Sequence, residues 1–215
     1  MKEIAIYLEG GGDSAQQKAE LRTGMDALLD PEKQAARNKQ LRWRMIPSGG
    51  RGQTFDAFQN ALKRLDDEIL LILLVDSEAS VGPESKDKDA NAKARVHHLM
   101  QRDQWDLSGT DPKHVHLMVQ CMEAWIVADQ ETLAAFYGKK FRANTLPNRQ
   151  NLEEEPKVDL LKNLKKSTEK TQKGEYAKIK HASKLLEKID RVKVSKRCPR
   201  FATFTAWLAK KIADA

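Results

Sequence analysis

One run of the sequence, "ILLILLV" at Ile69–Val75, limits the possible folds more than any other. It is short, and apolar without interruption. A strand with one wet face would alternate apolar and polar residues, so this run reads as a central strand covered on both faces. Such a strand needs helices on either side, and the flanking sequence supplies them. Glu3–Leu8 reads as a first strand, and Ser14–Leu29 as a helix with Leu21, Met25, Leu28 and Leu29 on one stripe and a Ser14/Gln17 capping pair at its start. Leu41–Pro47 reads as a second strand, turned by "SGGRG". Thr54–Leu65 reads as a helix presenting Phe55, Phe58, Ala61, Leu62 and Leu65. Val115–Val119 makes a fourth strand that enters "CMEAWIVAD". Strands alternating with helices imply an α/β fold with a mostly parallel sheet flanked by helices.

Between the third and fourth strands, "SEASVGPESKDKDANAK" is polar and reads as a loop able to cover the carboxyl edge of the sheet. After Gly138 the strand pattern stops. Helices are expected near Val158–Ser167, Ala182–Ile189 and Phe201–Ile212. The expected division is therefore a core over 1–138 and a helical basic extension over 139–215.

Charge sharpens that division. The chain carries +7 overall, but residues 156–215 hold 17 Lys/Arg against 6 Asp/Glu, leaving the preceding part net acidic. A basic third on an acidic body points to an anionic partner, with nucleic acid the first choice. A solvated lysine-rich helix face is the alternative, and charge alone does not choose between them. With 40% hydrophobic and 32% charged residues the chain fits the soluble globular class. No apolar run approaches the ~20 residues of a membrane span, and no signal-peptide pattern opens the chain. Cys121 and Cys198 lack metal-ligand spacing and read as core residues, which suits a reducing cytoplasm.

The chemistry gathers where strands end. In "AIYLEGGGDS" a buried strand closes on Glu9, and Asp13 follows one glycine loop later; "LLVDSE" closes the third strand on Asp76 and Glu78; Glu123 follows the fourth. Open parallel sheets bind ligands beyond the carboxyl ends of their strands. Carboxylates about 4 Å apart repel by roughly 4 kcal/mol at an effective dielectric near 20, so such a cluster calls for a divalent cation. Alternation along an extended "DSE" places Asp76 and Glu78 on one side. The glycines lack the spacing of a nucleotide-binding loop. A helix cap explains Asp13 or Ser14 taken singly, but not three acids at strand ends. His114 and His116 share a strand face without a third soft ligand and read as structural, while Trp105 and Trp125 read as core. Lys178, Lys180, His181 and Lys184 in the basic third, and Arg51 at the sheet's carboxyl edge, are the expected phosphate contacts.

These residues resemble a known pattern. A strand ending in Glu, a Gly-rich turn to Asp, and a later apolar strand ending in an Asp-x-Asp-like motif are similar to the Toprim domain of topoisomerases, primases and the overcoming-lysogenization-defect nucleases. "IYLEGGGDS", "LLVDSE", "HLMQRDQW", "HLMVQCMEAWIVAD", "YAKIKHASKLLEKID" and "CPRFATF" resemble a bacterial family of small stand-alone Toprim-like proteins, often encoded beside an ABC/AAA-type ATPase in phage-defence neighbourhoods. The resemblance implies that Glu9, Asp76 and Glu78 are catalytic, and that Mg²⁺ or Mn²⁺ is held by Glu9, Asp13, Asp76, Glu78 and Glu123. Glu78 stands where the motif has its second aspartate. Glu123 has no general Toprim counterpart and fits only the smaller family; a helix residue paired with an arginine is its other reading. The implied activity is a metal-dependent nuclease, a cytoplasmic effector of anti-phage defence controlled by an ATPase partner. A Toprim-like adaptor that binds ATPase or nucleic acid without cutting is the alternative. Tyr7, Tyr137 and Tyr176 offer no context for a topoisomerase nucleophile.

Overall fold

The chain alternates as its apolar periodicity dictates. Strand β1 (Glu3–Leu8) leads into helix α1 (Ala15–Leu28), and α2 (Asp30–Asn38) follows directly, with Pro31 in its first turn. Then come β2 (Arg42–Pro47), α3 (Arg51–Leu62), β3 (Ile69–Asp76), α4 (Lys88–Asp103) and β4 (Val115–Met118). Six α-helices complete the described chain: α5 (Glu123–Ala128), α6 (Gln130–Tyr137), α7 (Lys157–Thr168), α8 (Lys178–Leu186), α9 (Arg191–Arg197) and α10 (Pro199–Ala213), with short 3-10 turns at Ala143–Thr145 and Leu152–Glu154. The computed structural model describes residues 1–64 and 68–215. Leu65, expected at the end of the second helix, lies outside the described residues.

The four strands form one all-parallel sheet in the order β2-β1-β3-β4. The protein is thus α/β, with a parallel sheet flanked by helices. From β1 the chain steps outward to β2, crosses back past β1 to β3, and continues outward to β4. The reversal falls between β1 and β3, which makes their carboxyl ends the place where a crevice opens.

The pleat divides the apolar residues between two layers. Ile4, Ile6, Leu8, Leu70, Ile72 and Leu74 join one core with α1, α2 and the C-terminal helices. Ala5, Leu71, Leu73 and Val75 join the other, beneath Phe58 of α3 and Val96 and Leu99 of α4. Leu70–Val75 are therefore all buried, which is why β3 tolerates no polar alternation. Each such side chain contributes ~1.5–3 kcal/mol relative to exposure. Beyond Gly138, Leu160, Leu164, Leu185, Phe201 and Leu208 belong to the same cluster as Ile4. Among the described residues no helix is long and apolar enough to cross a membrane.

Several boundaries differ from the sequence reading. The polar segment is a loop only to Asp87, whose carboxylate accepts from the amides of Asp89 and Ala90 (2.9 and 3.1 Å) and so starts α4 at Lys88. α3 begins at Arg51 rather than Thr54, because Gln53 Oε1 accepts from Gly50 N (2.8 Å) and closes the first turn. α8 begins four residues before Ala182, which places Lys178 at its first position. α2 and α9 have too few apolar residues to announce themselves. One close approach fixes α8: a Cβ on Gly24 of α1 would stand 2.5 Å from the Ser183 carbonyl oxygen. Glycine there lets the two helices touch.

Candidate functional site

Strand register sets the site. Leu8 lies opposite Leu74, so Glu9 leaves its strand one residue past that pair and Asp76 two, which brings both to the sheet's carboxyl edge. The Glu9 amide donates to the Leu74 carbonyl (3.1 Å), and the Asp76 amide donates to Glu9 Oε2 (3.1 Å). After Asp76 the chain leaves extended geometry: Glu78 has φ +64°, a left-handed conformation that costs a non-glycine residue of order 1–3 kcal/mol. Its amide donates to the Gln120 carbonyl (2.8 Å), which holds the turn. Glu9, Asp76 and Glu78 consequently present carboxylate oxygens within 4.8 Å of one another. The convergence expected from strand alternation is reached by this turn instead.

The glycine loop makes the other half possible. Gly10, Gly11 and Gly12 have φ of +119°, +88° and +59°, turning the chain sharply after Glu9. A Cβ on Gly12 would lie 2.3 Å from Gln17 Oε1, the side chain that completes the α1 capping box with Ser14. Asp13 is exposed in this loop and stands outside the carboxylate cluster, contrary to the expected ligand set.

Cations hold the acids in place. Arg51 donates from Nη1 to Glu9 Oε2 (3.0 Å) and to the Asp76 carbonyl. Its Nε and Nη2 grip both oxygens of Asp103 (2.9 and 2.6 Å). The guanidinium lies 4.8 Å from the centre of the Trp105 ring, itself stacked on Phe55. A fork fixed on three sides is a positioning group, not a free phosphate contact. Lys178 reaches back from the start of α8, with Nζ 3.3 Å from Asp76 Oδ2 and 3.7 Å from Glu123 Oε2. Lys157 pairs with Glu78 Oε1, and Arg102 stands 3.9 Å from Glu78 Oε2. Beneath them Asp76 Oδ1 accepts from the Met122 amide (2.8 Å), and the Tyr176 hydroxyl donates to Glu123 Oε1 (3.1 Å).

Burial dominates the titration. It raises the Glu9 carboxyl to about 7, with the Asp76 charge adding to the effect and Arg51 opposing it. It raises Asp76 too, against the pull of Lys178. For Lys178 burial acts downward, but Asp76 and Glu123 outweigh it and keep the ammonium charged.

Of the expected nucleic-acid contacts, Lys180 and Lys184 are exposed on α8. His181 is a correction: it is 3% exposed, accepts at Nδ1 from the Ala177 amide (3.1 Å), and faces the Tyr137 hydroxyl. Being on the inner face of α8, it braces Tyr137 rather than meeting solvent. Trp125 is core, as are Cys121 and Cys198, whose thiols burial pushes up. Trp105 is half-buried and serves Arg51. Sequence reasoning missed Asp103, Arg102, Lys157 and Tyr176. The first two lie in "HLMQRDQW", a stretch singled out for its resemblance; Lys157 is one lysine among many and carries no local signal.

The donor set suits a hard divalent ion. Glu9, Asp76 and Glu78 offer oxygen only, the preference of Mg²⁺ and Mn²⁺. Glu123 Oε2 is buried with no hydrogen-bond partner among the described residues, 3.7 Å from the Lys178 ammonium.

No curated protein and no solved structure matches the chain. Residues 8–209, nearly the whole chain and every residue of the site, match the family described as "Domain of unknown function (DUF4276)", and the protein belongs to that family.

Proposed function

We propose that the protein is a Mg²⁺- or Mn²⁺-dependent nuclease that hydrolyses phosphodiester bonds of DNA or RNA. The convergence of Glu9, Asp76 and Glu78 at the reversal between β1 and β3 carries this reading. Glu9, Asp76 and Glu78 would hold the ion, with Glu123 behind them. A divalent ion bound there polarises a phosphoryl oxygen and makes water more acidic. The chain's own residues do the rest. Glu9, whose carboxyl burial raises to about 7 with no ion bound, would serve the ion as a carboxylate ligand or, off the ion, act as the general acid/base. Arg51 fixes its orientation through Asp103 and Trp105. Lys178, its side chain 38% exposed, stands at the rim where a phosphate would arrive. Control by an ATPase in anti-phage defence, in the cytoplasm, rests on the sequence resemblance to stand-alone Toprim-like proteins.

A second reading, an adaptor that binds without cutting, is favoured by one observation: Lys157 and Lys178 already neutralise Glu78 and Asp76. Plasmid, single-stranded DNA and tRNA incubated with Mg²⁺, Mn²⁺ or EDTA, with and without the ATPase, separate the two. Cleavage in Mg²⁺ or Mn²⁺ that is lost in EDTA and in Asp76→Asn, with fold and nucleic-acid affinity kept, supports the nuclease. Binding without cleavage under every condition promotes the adaptor.

A further inference from the structure

Away from the carboxylates, a cavity of about 640 Å³ opens between the first half of α4, the start of β4 and one side of α10 along most of its length. None of Glu9, Asp76, Glu78 and Glu123 lines it. Small-molecule sites occupy ~300–1,000 Å³, so this one is of ligand size. Ala92 on α4 and Ala202 and Ala206 on α10 make the room.

Its walls select for three properties at once. The first is negative charge. Five cations outnumber the two carboxylates, Asp89 and Asp214, in the lining. Lys113 is paired with Asp89 (3.1 Å), and Arg95 donates to the Val115 carbonyl (2.6 Å), but Lys88, Lys210 and Lys211 make no ion pair among the described residues. The second is a flat ring. Trp207 forms a half-buried aromatic wall; the His116 ring packs beside it, with centroids 4.5 Å apart and planes tilted by 50°, and the Lys211 ammonium lies 5.9 Å from its centre. The third is a hydrogen-bonding edge. His116 is 3% exposed, lines the cavity, and its Nε2 has no partner. Burial holds the ring neutral, well below the usual histidine range. A buried nitrogen left unpaired is costly, and a ligand group satisfies it.

We propose that this cavity is a second binding site whose ligand is a nucleoside phosphate. Its phosphate meets Lys88, Lys210 and Lys211, its base stacks on Trp207, and the base edge bonds to His116 Nε2. Inorganic phosphate uses only the lysines. A neutral aromatic ring leaves them bare.

The test is binding of AMP, GMP, CMP and UMP, with ribose 5-phosphate and inorganic phosphate as probes of the anionic part alone. EDTA is present throughout, so that no metal bridges a phosphate to the carboxylates. At about 1 mM ligand, at least one nucleotide should raise Tm, and calorimetry should show it binding at least about tenfold tighter than ribose 5-phosphate. Lys210→Glu combined with Lys211→Glu, on the open side of α10, should weaken nucleotide binding at least about tenfold, and Trp207→Leu likewise. Asp76→Asn should bind nucleotide as the wild type does, whether or not the protein proves to be a nuclease. The proposal is overturned if no nucleotide binds, if inorganic phosphate binds as well as a nucleotide, or if binding survives the lysine reversals. Loss of binding in Asp76→Asn would overturn it too, by assigning the nucleotide to the carboxylates.

Discussion

Replacing Lys178 by methionine removes one charge while keeping most of the side-chain volume. Its ammonium lies 3.3 Å from Asp76 and 3.7 Å from Glu123, and those carboxylates are 1% and 2% exposed. At an effective dielectric near 20 the two attractions amount to ~5 and ~4.5 kcal/mol. The lysine side chain is itself 38% exposed, so water screens a good part of this. Its removal also relieves the cost of desolvating and ordering the ammonium. What remains is a net loss of about 3 kcal/mol at neutral pH, from two buried carboxylates stripped of their counter-charge. For a chain of this length that lowers Tm by about 6–12 °C. Urea titrations in EDTA at about pH 7.5 and about pH 5 are the assay. Asp76 is already raised by burial, and a raised carboxyl destabilises the fold as pH climbs, so the deficit should shrink at the lower pH. Mg²⁺ should restore more stability to the variant than to the wild type, because it replaces the missing charge. A loss equal at both pH values and indifferent to Mg²⁺ would refute the reasoning, and so would no loss at all.

Glu9→Gln should behave oppositely. With its carboxyl at about 7 against 4.5 for the ordinary group, Glu9 favours the fold when protonated, and that contribution fades as pH rises through 7. The glutamine variant should therefore gain up to about 3 kcal/mol in EDTA above about pH 8 and almost nothing near pH 4, read from urea midpoints. An equal effect at both pH values would contradict the assignment. Reversing Lys180 and Lys184 together should weaken nucleic-acid binding and lower the slope of log affinity against log salt by about 1–2. An unchanged slope would assign that face of α8 to another partner. Gly24→Ala should cost about 1–3 kcal/mol, because its Cβ meets the Ser183 carbonyl oxygen at 2.5 Å and the backbones of α1 and α8 must part. A thermal melt identical to wild type would show that the two helices are not in contact.

The sheet and the acids at its edge were legible for the same reason: both depend on neighbours in sequence. Burial on two faces writes itself as an unbroken apolar run at Ile69–Val75, and a buried strand ending on Glu9 or Asp76 stands out because a charge there is expensive. The Ser14/Gln17 capping box is equally local, and it is present. The cations that complete the site were not legible in this way. Arg51 reads as a phosphate contact until Asp103, 52 residues away, is seen gripping it. Lys157 and Lys178 differ from the other lysines of the basic third only in where α7 and α8 begin. Starting α8 at Ala182 leaves Lys178 in a linker, and the true start at Lys178 aims it at Asp76. His181 shows the converse error: a histidine among lysines reads as a surface group, yet the helix turns it inward onto Tyr137.

The two kinds of cation divide the work at the site. Arg51 is held by Glu9, Asp103 and Trp105, so it cannot leave Glu9 without breaking a planar, doubly hydrogen-bonded pair. Lys157 and Lys178 hang on flexible stems, with side chains 23% and 38% exposed, and each meets its carboxylate as a point charge. Under the nuclease reading this difference matters. A divalent ion entering among Glu9, Asp76 and Glu78 makes the two ammonium groups redundant, and an arriving phosphate gives them somewhere to go. The site then stays near neutral both empty and loaded, while the geometry of Glu9 is left untouched. Under the adaptor reading the lysines never leave, and Mg²⁺ has nothing to replace. Mg²⁺ should then stabilise neither the wild type nor Lys178→Met, in which the ammonium is gone and most of the side-chain volume remains. If Mg²⁺ stabilises both, and the variant more, the lysine was standing where positive charge is exchanged, and the adaptor reading loses the one observation that favours it.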